Sequence, residues 1–133
     1  MMSPELDAEL CKKYPLLYAD RHADMQHTCM CWGFCVGDGW YDIINRLSMK
    51  LEALIQALPE EQRGLCKAAQ VKEKFGILRF YMDGETPEMT AAIQLAENDA
   101  AKTCEACGAP GYTYGKSWLK TLCDNCHNKR GER

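Results

Sequence analysis

Four cysteines carry the most legible chemistry in the chain. Cys104 and Cys107 form one Cys-x-x-Cys pair and Cys123 and Cys126 another, with 15 residues between the pairs. Each pair can curl into a knuckle that points two sulfurs at one spot. The interval is long enough for a hairpin that returns the second pair to the first. This spacing predicts a closed tetrahedral site in which four thiolates hold Zn2+. Four protein ligands leave no open position for water or substrate, so the ion is expected to hold structure and do no chemistry. Gly108 follows the first pair, where a knuckle needs a residue free to take a positive φ. Asp124 and Asn125 inside the second pair are good helix starters. A knuckle, a hairpin and a second pair opening a short helix make a treble-clef arrangement, with a symmetric zinc ribbon as the alternative. His127 is a possible substitute ligand, but beside four thiolates it is expected next to the site or unused.

A second group sets soft ligands close together: His27, Cys29, Cys31 and Cys35, with His22 nearby. It does not follow a structural-zinc spacing, and its thiols are expected to be ordinary ones, some buried as small hydrophobes. Cys11 and Cys66 stand apart with no assigned role. There is no glycine-rich phosphate loop, no Gly-x-Ser-x-Gly elbow and no His-Glu-x-x-His helix. None of the three histidines pairs with a nucleophile at a readable spacing. The chain therefore reads as a non-enzyme. Asp38, between Gly37 and Gly39, could ligate or act as a base; its expected role is to cap the helix that Trp40 begins.

The elements that must position these residues give an α+β reading. Residues 4–13 form an amphipathic helix candidate with Leu6 and Leu10 on one side. Residues 14–18 pack irregularly around Pro15, and residues 22–39 are loop, broken by Gly33, Gly37 and Gly39. Trp40, Ile44, Leu47, Leu51, Leu54 and Leu58 recur at steps of three and four, which predicts a helix ending at Pro59 with that stripe in the core. Residues 69–75 and 77–82 read as two strands of a hairpin around Gly76, with Val71 and Phe75 facing inward and Leu78, Phe80 and Met82 alternating with Arg79 and Tyr81. Asp83-Gly84 turns the chain. Thr86 with Pro87 behind it starts a third helix, which runs to about Lys102 with Met89, Ile93, Ala96 and Ala100 on its apolar side. The chain then enters Cys104 with almost no linker. The expected organisation is a body over residues 1–103, of helices on a small antiparallel hairpin, with a zinc lobe over 104–133 docked on it.

Size and composition agree with this. The chain has 133 residues, 47% of them hydrophobic, enough for one compact core plus a metal-stapled lobe. It has no apolar run long enough to span a membrane and no secretory signal at its start. Nine cysteines, an odd number with four in a zinc pattern, fit a reducing cytoplasm better than a disulfide framework. The formal net charge is −3. Residues 104–133 look mildly basic, through Lys116, Lys120, Lys129, Arg130 and Arg133. Four thiolates around Zn2+ carry a net charge of about −2, which cancels that excess. A duplex-binding surface needs a clearer basic patch.

Three blocks of the sequence carry a resemblance: "GFCVGDGWYDII", "QVKEKFGILRFYMDG", and "TCEACGAPG" followed by "WLKTLCDNCH". Together they resemble a family of small proteins encoded largely in bacteriophages and prophages. The match covers residues 32–127; His22, His27, Cys29 and Cys31 fall in the part that does not follow the pattern. The resemblance implies a phage-encoded accessory protein working in the host cytoplasm, and it supplies no activity.

Two functions follow as expectations. The first is a non-enzymatic factor that binds and modulates a host protein. Its contacts would be the hairpin face around Lys72, Glu73, Lys74, Arg79 and Tyr81, and the zinc hairpin with Tyr112, Tyr114 and Trp118, aromatic anchors on short loops. The alternative is a nucleic-acid-binding zinc finger. It would set Lys116, Lys120, Lys129 and Arg130 on phosphates and stack bases on Tyr112 or Tyr114.

Overall fold

A computed structural model describes residues 1–116 and 118–131, apart from the Arg130 side chain. That side chain and Arg133, both read above as part of the basic tail, lie outside the described residues. The fold is α+β. Helix α1 (Pro4–Lys13) leads through an irregular stretch to a two-residue strand β1 (Phe34–Cys35) and then to α2 (Tyr41–Gln56). Strands β2 (Lys67–Lys74) and β3 (Ile77–Asp83) form a hairpin, followed by α3 (Pro87–Ala100). A second, smaller hairpin of β4 (Tyr112–Tyr114) and β5 (Lys120–Leu122) precedes α4 (Asp124–Gly131). No helix among the described residues is long and apolar enough to cross a membrane.

The periodic stripe makes α2 the centre of the core. Trp40, Ile44, Leu51 and Ile55 are fully buried and Leu47 nearly so; each such aliphatic side chain contributes about 1.5–3 kcal/mol of burial. The same face carries two polar groups, and both are satisfied. Glu52 accepts hydrogen bonds from the backbone N–H of Leu17 (2.8 Å) and Leu16 (3.2 Å). Ser48 meets the buried Tyr18 hydroxyl at 2.5 Å. These bonds moor residues 14–18 to the helix, so that segment is irregular but fixed.

The larger sheet has the order β1-β2-β3, with β1 parallel to β2 and β2 antiparallel to β3. Strand β1 lies in a stretch expected to be pure loop; two residues are too few to leave a periodic signal. Phe34 pairs with Val71 and Val71 with Phe80, and these three face the core. Phe75 departs from the expectation of an inward side chain. It is the first residue of a two-residue turn, with φ 55, and Gly76 follows with φ 80. Two positive φ values are what a tight hairpin of this twist demands, and they leave Phe75 58% exposed. Thr86 caps α3 as its spacing predicts, accepting from the Met89 N–H at 3.4 Å with Pro87 behind it.

Candidate metal centre

The first cysteine pair sits in a loop closed by its own backbone. The Cys104 N–H donates to Ala109 O at 2.7 Å and the Gly108 N–H to Cys104 O at 2.9 Å, with Gly108 at φ 84. The β4–β5 hairpin then carries the chain back, with Thr113 opposite Thr121. The second pair straddles the start of α4: Cys123 precedes Asp124, and Cys126 lies in the first turn. One sulfur from each of Cys104, Cys107, Cys123 and Cys126 converges, all within 4.8 Å of one another. The Cys107 and Cys123 sulfurs are 3.6 Å apart. That is far beyond a disulfide bond of about 2.05 Å. It is close to the roughly 3.8 Å separation of two sulfurs that sit 2.3 Å from a shared tetrahedral centre. The four cysteines are therefore positioned to bind a metal ion.

Four thiols this close compete for protons. Burial pushes the Cys104 thiol up, but hydrogen bonds from the backbone of Cys123, Cys107 and Ala106 outweigh it and bring the group down to about 7. Cys126 is pushed up to about 12, chiefly by its contact with the Cys123 sulfur. A dication removes this competition by stabilising every thiolate at once, so binding releases protons.

His127 is not among the converging ligands. Its ring stacks on Tyr114, with centroids 3.7 Å apart and planes 7° from parallel, and the Tyr114 hydroxyl donates to Asp124. Elsewhere among the described residues no other group of three or more His, Cys, Asp or Glu side chains comes together this way. Cys29 and Cys35 are exposed, and Cys31 donates to Thr28 O. Cys11 is half-buried against Asp7; burial, with the carboxylate second, raises its thiol to about 11, a poor nucleophile at neutral pH.

The cysteine segment is fastened to the rest of the chain at two places. At the first, the Gly39 N–H donates to Glu105 O at 2.7 Å, the Gly37 N–H to Glu105 Oε2 at 2.9 Å, and the Trp40 indole to Thr103 O at 2.8 Å. The two glycines are there for clearance: a Cβ would lie 2.4 Å from Glu105 O at position 37 and 2.2 Å from Cys104 O at position 39. At the second, the fully buried Thr121 donates to Gly76 O at 2.7 Å, and Lys120 pairs with Glu73 at 2.6 Å and with Glu105 at 3.5 Å. The tip of the β2–β3 hairpin thus rests on the strands of the β4–β5 hairpin. Glu105 and Thr121 are the residues the sequence reading missed. A carboxylate inside a Cys-x-x-Cys knuckle was the visible clue to the first; Thr121 left none.

Asp38 does not cap α2. Its carboxylate accepts from the Ser3 N–H at 2.7 Å, at the entrance to α1, and no side chain caps α2 at all. Among the expected contact residues, strand alternation places Lys72, Lys74, Arg79 and Tyr81 together on the sheet face turned away from the core, with Ile77 beside them. Lys72 and Arg79 are directly opposite each other, and Arg79 Nε is buried with no partner among the described residues. Glu73 points the other way, toward Lys120. Tyr112 and Trp118 are 65% and 72% exposed, whereas Tyr114 is held by Asp124 and His127. Of the phosphate candidates, Lys116 and Lys129 are exposed and Lys120 is already neutralised by two carboxylates. No family model, curated protein or solved structure matches the chain.

Proposed function

We propose that the chain is a non-enzymatic, zinc-stapled accessory protein that binds an acidic surface of a host protein and modulates it, in the host cytoplasm. The metal in this reading is Zn2+ in a treble-clef setting, because four sulfurs at tetrahedral spacing suit a closed structural site with no room for chemistry. The observation that carries the partner reading is the outer sheet face. Lys72 and Arg79 are cross-strand neighbours, Lys74 adjoins them, and the one carboxylate that alternation puts on that face of the two strands, Asp83, stands at its far end opposite Lys67. Like charges placed directly opposite cost stability, and an acidic partner relieves that cost. Apolar anchors flank the charges: exposed Ile77 and Phe75 from one hairpin, with Tyr112 and Trp118 on the hairpin packed against its tip.

Affinity capture from host lysate, read by mass spectrometry, tests this together with the variant Lys72→Glu/Arg79→Glu. The expected result is one protein retained by the native chain and lost by the variant, with the two melting alike and each carrying about one zinc per chain. Retention by both would remove the sheet face from the proposal. Binding to DNA or RNA that steepens as salt is lowered would replace the protein partner with nucleic acid.

A further inference from the structure

Helices α2 and α3 pack side by side and leave a groove of about 440 Å³ between them. Its floor is apolar, with Leu47 from α2 and Ala96 from α3. Its two rims differ in sign. The α2 rim carries Arg46 and Lys50, and the α3 rim carries Glu88 and Asp99. The spacing dictates this: Arg46 and Lys50 are four apart, and Glu88 and Asp99 eleven, so each set lies along one side of its helix. None of these four side chains forms an ion pair within the chain among the described residues. Leu95 also lines the groove and stands 66% exposed.

We propose that this groove is the contact between two copies of the chain, related by a two-fold axis that runs along it. Such an axis lays the α2 of each copy over the α3 of the other. Arg46 and Lys50 of one copy then face Glu88 and Asp99 of the next, twice over, and each Leu95 enters the apolar floor opposite. An axis across the groove would set basic rim on basic rim and acidic on acidic, so charge selects one geometry. A foreign partner would have to present a basic and an acidic edge at the same separation. A second copy carries that arrangement by construction, which is why the occupant is the chain itself.

Sedimentation of the full chain over a range of concentrations tests the proposal, with an expected monomer–dimer equilibrium. Leu95→Glu, at an exposed site, is expected to weaken the dimer at least about tenfold while its melt stays that of the native chain. The decisive arm is a charge exchange. Arg46→Glu/Lys50→Glu and Glu88→Lys/Asp99→Lys should each be monomeric alone, and mixing them should restore a dimer containing one of each. A native chain that stays monomeric throughout overturns the proposal. So does a dimer indifferent to Leu95→Glu, or a mixture that remains monomeric although both variants melt like the native chain. A monomer whose groove instead captures a helix of a host protein, lost in Leu95→Glu, also overturns it.

Discussion

At the scale of single residues, Gly37-Asp38-Gly39 is where chain chemistry and chain geometry part company. The motif suggests an exposed acid held by flexible neighbours. Each glycine is instead needed because a carbonyl of the cysteine knuckle occupies the space of its missing Cβ. Gly39→Ala is expected to lower stability by about 3 kcal/mol or more, since the obstructing atoms are backbone and cannot rotate away. Urea unfolding of the metal-loaded protein measures it; a loss below about 1 kcal/mol would mean the approach is looser than described. The motif was visible in the sequence and its reason was not, because Gly37 finds Glu105 68 positions downstream. Asp38 was read as a cap and is indeed an acceptor for an orphan N–H at a helix start, but of α1, 35 positions upstream. The four cysteines were legible because ligand spacing is a local property of the chain.

At the scale of elements, legibility followed periodicity. The α2 stripe is buried from Trp40 to Leu51, Leu54 and Leu58 at its end are half-buried, and Ile43 and Ile55, left out of it, are buried. Thr86-Pro87 announces α3 because both residues act on backbone groups within their own turn. The β2–β3 hairpin was legible around Gly76, but the place of Phe75 in its turn was not. Such turns favour Asn or Gly where φ is positive, and here a phenylalanine takes that place beside Gly76. A left-handed backbone costs a residue with a Cβ about 1–2 kcal/mol. Phe75→Gly is therefore expected to raise stability by about 1 kcal/mol, part of the relief being offset by the freer unfolded chain. Thermal melts of the two proteins decide it. A lower melting temperature for the variant would show that the exposed ring, with the Lys74 ammonium 5.7 Å from its centroid, contributes more than its backbone costs.

At the scale of the whole molecule, the metal centre and the body are not independent. The knuckle that holds Cys104 and Cys107 supplies the acceptors for Gly37, Gly39 and Trp40, and β5 supplies the donors that reach Gly76 O and Glu73 at the Gly76 turn. Chelation is therefore expected to reach beyond the cysteines. Amide exchange at Gly37–Trp40 should rise together with that of β4 and β5, while α2, anchored by its own buried face, stays protected longest. Protection at Gly39 that survives removal of the metal would show that the junction stands without it. The same arrangement bears on how the chain is made. Gly37 cannot meet its partner until the ribosome has delivered 68 further residues. The start of α2 is therefore expected to settle only after the cysteines are translated, and newly made chains are expected to become protease-resistant faster when metal is supplied.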